Sequence, residues 1–217
     1  MASNERAAIP RLSVEAKFIR DGAITIAGVD EVGRGSWAGP LFASAVMLDI
    51  SVLRNRRRLR EVTDSKRLTP RTRERLFDDI YAEALSVAVA SASVAEIDAM
   101  GIVQATMCAM RRAVGGLNQV SDVLLVDYLS LEPVSSGQRV FSLSKADSRC
   151  LSVASASICA KVIRDRYMTT LSSKYPEYGF DKNAGYGTAQ HKKAILRHGP
   201  CSAHRISFKP INSAKRA

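Results

Sequence analysis

Proline and glycine are scarce in this chain of 217 residues, at 7 and 13, and aromatics make up only 6%. With 46% of residues apolar, that composition excludes a collagen-like, low-complexity or disordered protein and predicts one globular domain with a sizeable core. Long hydrophobic runs are also missing. The longest uncharged stretch, residues 36–48, is far shorter than the roughly 20 apolar residues a spanning helix requires, so no membrane partner is expected. The opening MASNER lacks the basic-then-apolar order of a secretory signal, and Glu5, Glu15 and Asp21 argue against a transit peptide, which predicts a cytoplasmic protein. The four cysteines, Cys108, Cys150, Cys159 and Cys201, form no Cys-x-x-Cys and read as reduced structural thiols. His191, His198 and His204 fall in one C-terminal stretch and read as partly exposed polar residues, not as metal ligands.

Acidic residues are in deficit, 21 against 32 Lys and Arg, and the net charge of +11 is concentrated. Residues 54–75 and 161–209 each hold ten basic and three acidic residues, so the rest of the chain is slightly acidic. Two basic blocks point to a polyanion, most simply nucleic acid, whose phosphates Lys and Arg neutralise with release of counterions.

Residues 23–29 (AITIAGV) and 41–50 (LFASAVMLDI) have the β-branched apolar character of strands, and a Gly-rich loop joins them. Thr69-Pro70 opens a helical pattern; residues 85–94 alternate as a third strand; residues 95–114 carry an apolar helical stripe interrupted by Gly101. Short apolar runs at 123–126 and 140–143 read as two more strands, and 151–172 as a helix that ends before Tyr175-Pro176. Three consecutive strands followed by strands alternating with helices predict a mixed-sheet α/β fold. The expected organisation is a loosely held segment over 1–22, a catalytic core over 23–172, a small helical and loop appendage over 173–210, and a tail over 211–217.

Carboxylates at the ends of these strands carry the functional signal. Asp30 and Glu31 follow ITIAGV, Asp127 follows VLLV, and Asp147 precedes the long helix. Singly, each reads better as a cap, loop acid or strand terminator. Jointly they predict an acidic pocket on a basic protein, where repulsion would be relieved by all-oxygen ligation of Mg²⁺ or Mn²⁺. A phosphodiester substrate fits both halves: basic residues hold the strand, and two metal ions activate water and stabilise the leaving oxygen. Gly33-Arg34-Gly35 lets backbone approach a ligand closely, but the loop is neither a Walker A nor a dinucleotide fingerprint.

The run Gly28-Val-Asp-Glu-Val-Gly-Arg-Gly35, with Ala38-Gly39-Pro40, closely resembles the signature of bacterial ribonuclease HII. Colinear matches follow at Asp64-Ser-Lys66, Glu96-Ile-Asp98, Lys145-Ala-Asp147, Ala154-Ser-Ala-Ser-Ile158, Arg164-Asp165, Tyr178-Gly-Phe180, Gly185-Tyr186, His191 and His204-Arg205, spanning about residues 24 to 210. The resemblance implies an RNase H-like fold: a mixed five-stranded sheet flanked by helices, with a small helical C-terminal appendage. It implies endonucleolytic cleavage of RNA in RNA/DNA hybrids and at single ribonucleotides in duplex DNA, leaving 3′-hydroxyl and 5′-phosphate, and so removal of misincorporated ribonucleotides and RNA primers. Asp30, Glu31, Asp127 and Asp147 would be the catalytic and metal-holding acids. Gly33, Arg34 and Gly35 would inspect the ribose 2′-hydroxyl, Tyr186 would stack on the sugar at the RNA-to-DNA junction, and Lys66 and Lys145 would contact phosphates. A monomer is the default state. The family pattern is broken at Ser36-Trp37, Gly101, Tyr128 and Ala146; Trp37 and Tyr128 lie near the acids in sequence and are expected to bear on substrate preference. The related ribonuclease HIII normally carries a further N-terminal domain and glutamate as its fourth acid. A basic RNA-binding protein without catalysis would explain the charge but not the four acids.

Overall fold

The computed structural model describes residues 13–133 and 135–214. Its centre is a five-stranded sheet in the order β3-β2-β1-β4-β5. Strands β1 (Thr25–Val32), β2 (Leu41–Asp49) and β3 (Ser86–Ala92) form an antiparallel meander. Strands β4 (Val123–Asp127) and β5 (Arg139–Leu143) add on the other side, each parallel to its inner neighbour. The mixed sheet flanked by helices is the one expected.

Period-two alternation sends the two sides of the central strands into two cores. Ile26, Val46 and Leu48 pack beneath α6 (Leu151–Lys174) and α3 (Pro70–Glu83), while Ala27, Val29, Ala45 and Met47 pack against α5 (Ile102–Gly115). The N-terminal half of α6 is small or apolar on nearly every side and is buried all round, as a central helix should be. Gly28 permits its approach: a Cβ there would stand 2.3 Å from the backbone of Ser152 and Val153, so any side chain would push α6 off β1. A third cluster, built by Met168, Tyr178, Phe180, Ile195 and Ile211, joins the C-terminal helices α7 (Phe180–Asn183), α8 (Ala189–His198) and α9 (Lys209–Ala214) to the end of α6. Among the described residues no helix is long and apolar enough to cross a membrane.

Several expectations are corrected. Within the segment 1–22, α1 (Ser13–Arg20) is ordered against the core: Phe18 is buried, and Glu15 is fully buried where its Oε1 accepts the Ser152 backbone N–H and hydroxyl, both at 2.9 Å. That contact supplies the start of α6 with an acceptor that its own N-cap residue, Cys150, does not provide. Of the tail, residues 211–214 belong to α9 and Ile211 is buried; residues 1–12 and 215–217 lie outside the described ones. The helix expected over 95–114 is two, α4 (Val94–Met100) and α5, broken at Gly101, whose φ is +80°. An unexpected short helix, α2 (Ile50–Arg54), leads into the basic block, capped by Asp49, which accepts from the Val52 N–H at 2.9 Å. His191 and His204 are buried instead of partly exposed.

Candidate active site

Asp30 and Glu31 do not follow β1 but lie in it, one on each side of the sheet. The parallel register sets Val29 beside Val126, which brings Asp30 and Asp127 next to each other at the carboxyl ends of β1 and β4. Asp127 Oδ1 then accepts the Ala146 N–H at 2.7 Å, and this bond ties the turn carrying Asp147 to the end of β4. All four predicted acids therefore line one cavity of 370 Å³, together with Lys66, Ser157, Lys161 and Tyr186. Glu31, Asp127 and Asp147 also line an adjoining cleft of 690 Å³ with Arg34, Lys66, Lys145 and Tyr128.

The electrostatics are those of crowded like charges. Burial pushes the Asp30 carboxyl well above the usual carboxylate range, Glu31 and Asp127 add to the push, and hydrogen bonds from Ser157 and the Glu31 N–H oppose it. Burial and Asp127 also raise Glu31 against the Arg34 guanidinium, which stands 3.6 Å away. Asp147 is raised by burial, Asp127 and Asp64, with Lys66 opposing. Asp64 is a fifth acid at the cleft, hidden in the sequence as a cap: it accepts the Lys66 N–H at 2.9 Å.

The structure turns Arg34 toward Glu31 and leaves Lys66 and Lys145 exposed on the rim. Tyr186 is half-exposed, with its ring over the Arg164 guanidinium at 5.6 Å. Gly33 and Gly35 line neither cavity: Gly33 is buried at φ +94°, where a Cβ would strike the Arg164 side chain at 2.3 Å, and Gly35 faces the Tyr186 ring.

A family model described as Ribonuclease HII matches residues 27–211. The chain belongs to the ribonuclease HII family. The Ribonuclease HII of Syntrophotalea carbinolica is 44% identical over 200 residues, 92% of this chain and 92% of its own. That of Chloroflexus aurantiacus is 44% identical over 206 residues, 95% of this chain and 96% of its own. Among solved structures, the ribonuclease H2 from Pyrococcus horikoshii OT3 aligns with a TM-score of 0.76 at 28% identity, covering 89% of this chain and 98% of that one. The protein is thus an endonuclease of ribonuclease H type HII with the RNase H-like fold.

Two departures from the family pattern resolve differently. Trp37 lines neither cavity; its ring stands 5.7 Å from that of His191, and its backbone N–H donates to Gly185 O at 2.8 Å. Tyr128 does line the cleft, in a left-handed backbone conformation with φ 61°.

Several further residues of the matching motifs support the site without lining the acid pocket as ligands. Ser157 links the Asp30 carboxyl to Ser65 at 3.0 Å. Arg164 and Arg205, both fully buried, hold the loop over residues 34–40: Arg164 donates to Pro40 O at 3.2 Å and Ser36 Oγ at 2.7 Å, and Arg205 to Gly39 O and Arg34 O, both at 3.0 Å. Burial lowers both guanidinium groups, Arg205 to about 9. His191 and His204 share an Nε2–Nε2 hydrogen bond of 3.0 Å. The Cys201 N–H donates to His204 Nδ1 at 3.0 Å, which puts the bridging proton on His204 Nε2 and leaves His191 Nδ1–H to donate to Tyr186 O at 2.9 Å. A neutral imidazole pair thus anchors the Tyr186 backbone. The signal available in the sequence was the charge itself: an arginine within the long apolar helix has to be held by carbonyls or acids.

Proposed function

We propose that this enzyme cleaves the RNA strand of RNA/DNA hybrids and nicks duplex DNA at single embedded ribonucleotides, leaving 3′-hydroxyl and 5′-phosphate ends. Removal of misincorporated ribonucleotides and RNA primers, by a cytoplasmic monomer, is the role that follows. The observation that carries this reading is the gathering of Asp30, Glu31, Asp127 and Asp147 about one cavity of a basic chain in the ribonuclease HII family.

Those four acids are the catalytic and metal-holding residues in this account. The donor set is all oxygen, and burial with mutual repulsion already opposes the charge on three of the carboxyls, which suits a hard divalent cation. Among the described residues no three His, Cys, Asp or Glu side chains make a ready cage, so the fit is that of an open cleft. Mn²⁺ or Mg²⁺ bound there would supply an activated water and Lewis-acid stabilisation of charge developing on the phosphodiester. Ser157 holds Asp30 in orientation, and Lys66 and Lys145 on the rim offer point charges to the flanking phosphates. Arg34, beside Glu31, keeps further N–H donors for a ribose hydroxyl, while Arg164 and Arg205 turn the carbonyls of the 34–40 loop inward. Tyr186 closes the acid-lined cavity as a surface for the junction sugar.

The test is nicking of a duplex that carries one ribonucleotide. Asp30→Asn is expected to abolish Mn²⁺- or Mg²⁺-dependent cleavage while duplex binding persists. Wild-type binding that is sensitive to salt, indifferent to metal and followed by no cleavage would replace the enzyme reading with that of a basic RNA-binding protein.

A further inference from the structure

Lys145, at φ 54°, shares the cleft with a second non-glycine residue of left-handed backbone, Tyr128. Tyr128 follows Asp127 at the end of β4 with φ 61°, a conformation that costs a residue with a Cβ about 1–2 kcal/mol. The strain is locked in from both sides: the Tyr128 N–H donates to Leu143 O at 3.1 Å, and the Leu129 N–H closes back on Asp127 O at 2.7 Å. Nothing in the fold takes up the ring in return. It is 69% exposed, and among the described residues its side chain makes no hydrogen bond and no aromatic or cation contact. Strain held at a ligand-facing position, with no packing gain to offset it, points to a ligand.

The surroundings give that ligand its chemistry. The cleft that Tyr128 lines holds three exposed cations, Lys66, Arg67 and Lys145, and Arg34, against four acids, Glu31, Asp64, Asp127 and Asp147. An exposed aromatic ring beside cations that track a phosphate backbone is the arrangement by which proteins stack nucleotides. We propose that Tyr128 is a substrate-binding residue that stacks on a nucleobase of the bound strand beside the catalytic acids, in the cleft adjoining the cavity that Tyr186 lines. The inference rests on the proposed hybrid-nicking function and adds a second aromatic contact to it.

Tyr128→Gly separates the two effects. Glycine relieves the left-handed backbone, so the variant is expected to melt no lower than wild type. Its KM for the single-ribonucleotide duplex, and its dissociation constant for that duplex in EDTA by fluorescence anisotropy, are expected to rise roughly 5- to 50-fold, with kcat changed by less than about threefold. Tyr128→Phe is expected to rescue most of that loss, and 2-aminopurine at the stacked position is expected to lose its quenching in Tyr128→Gly only. An unchanged dissociation constant in Tyr128→Gly, or a Tyr128→Phe variant as weak as Tyr128→Gly, would overturn the proposal. Wild-type protein that binds the duplex without nicking it would overturn the catalytic reading instead, while the anisotropy comparison still decides the role of Tyr128.

Discussion

Asp127 is the acid whose charge bears on Asp30, Glu31 and Asp147 alike, so its neutralisation should stabilise the protein when no metal is present. Asp127→Asn is isosteric, and its remaining carbonyl oxygen can still accept the Ala146 N–H. In a cleft half open to water each repulsion is of the order of 1 kcal/mol, and Arg34 beside Glu31 and Lys66 beside Asp147 offset part of it. The net gain expected is about 1–3 kcal/mol, or roughly 2–10 °C in melting temperature for a chain of this size. The three facing carboxyls have folded-state pKa values raised above their ordinary ones. Their contribution is therefore most favourable when they are protonated, and it is lost as pH rises through the raised values. In EDTA, the melting temperature of Asp127→Asn should exceed that of wild type at pH 8 and converge with it near pH 4; saturating Mn²⁺ should cancel or reverse the difference. If metal-free Asp127→Asn melts at or below wild type at pH 8, the crowding of negative charge inferred at this cleft does not exist.

Glu15→Ala removes the acceptor of the Ser152 N–H and hydroxyl at the start of α6 and is expected to cost about 1–3 kcal/mol in urea denaturation; no change would mean that α1 contributes nothing to the fold. The buried histidines should act in acid. Burial and His191 lower His204 to about 4, so the unfolded chain takes a proton near pH 6.5 that the folded pair refuses, and stability should fall as pH drops from about 6.5 to about 4. His204→Gln should be less stable than wild type at pH 7 yet flatter across that window, and an identical slope in the two proteins would remove the pair as a cause.

The sheet was legible because each strand carries its own signal: ITIAGV and VLLV are apolar on both sides, as central strands must be. Asp30, Glu31 and Asp127 were legible for the related reason that a charge directly abutting such a run has to be held by something, whereas Asp147, between Ala146 and Ser148, abuts none and stood out through the family motif. Other features depend on partners far along the chain. Glu15 looks like any surface acid of an amphipathic segment until the backbone N–H of Ser152, 137 residues on, donates to its buried carboxyl. His191 and His204 carry no local mark of burial, because each is satisfied by the other and by backbone groups. Gly101 was visible as a helix flaw, but only tertiary packing decides that the chain turns there instead of running through. Tyr128 was conspicuous only as a departure from the family pattern; its strain appears when β4 and β5 fix the backbone on either side.

The most direct measurement is a crystal structure of the protein soaked in Mn²⁺, with data collected at the manganese absorption edge. Anomalous density is expected among the carboxylates of Asp30, Glu31, Asp127 and Asp147, and its loss in Asp30→Asn crystals. A fully soaked crystal with manganese only at other sites, or none, would contradict that expectation.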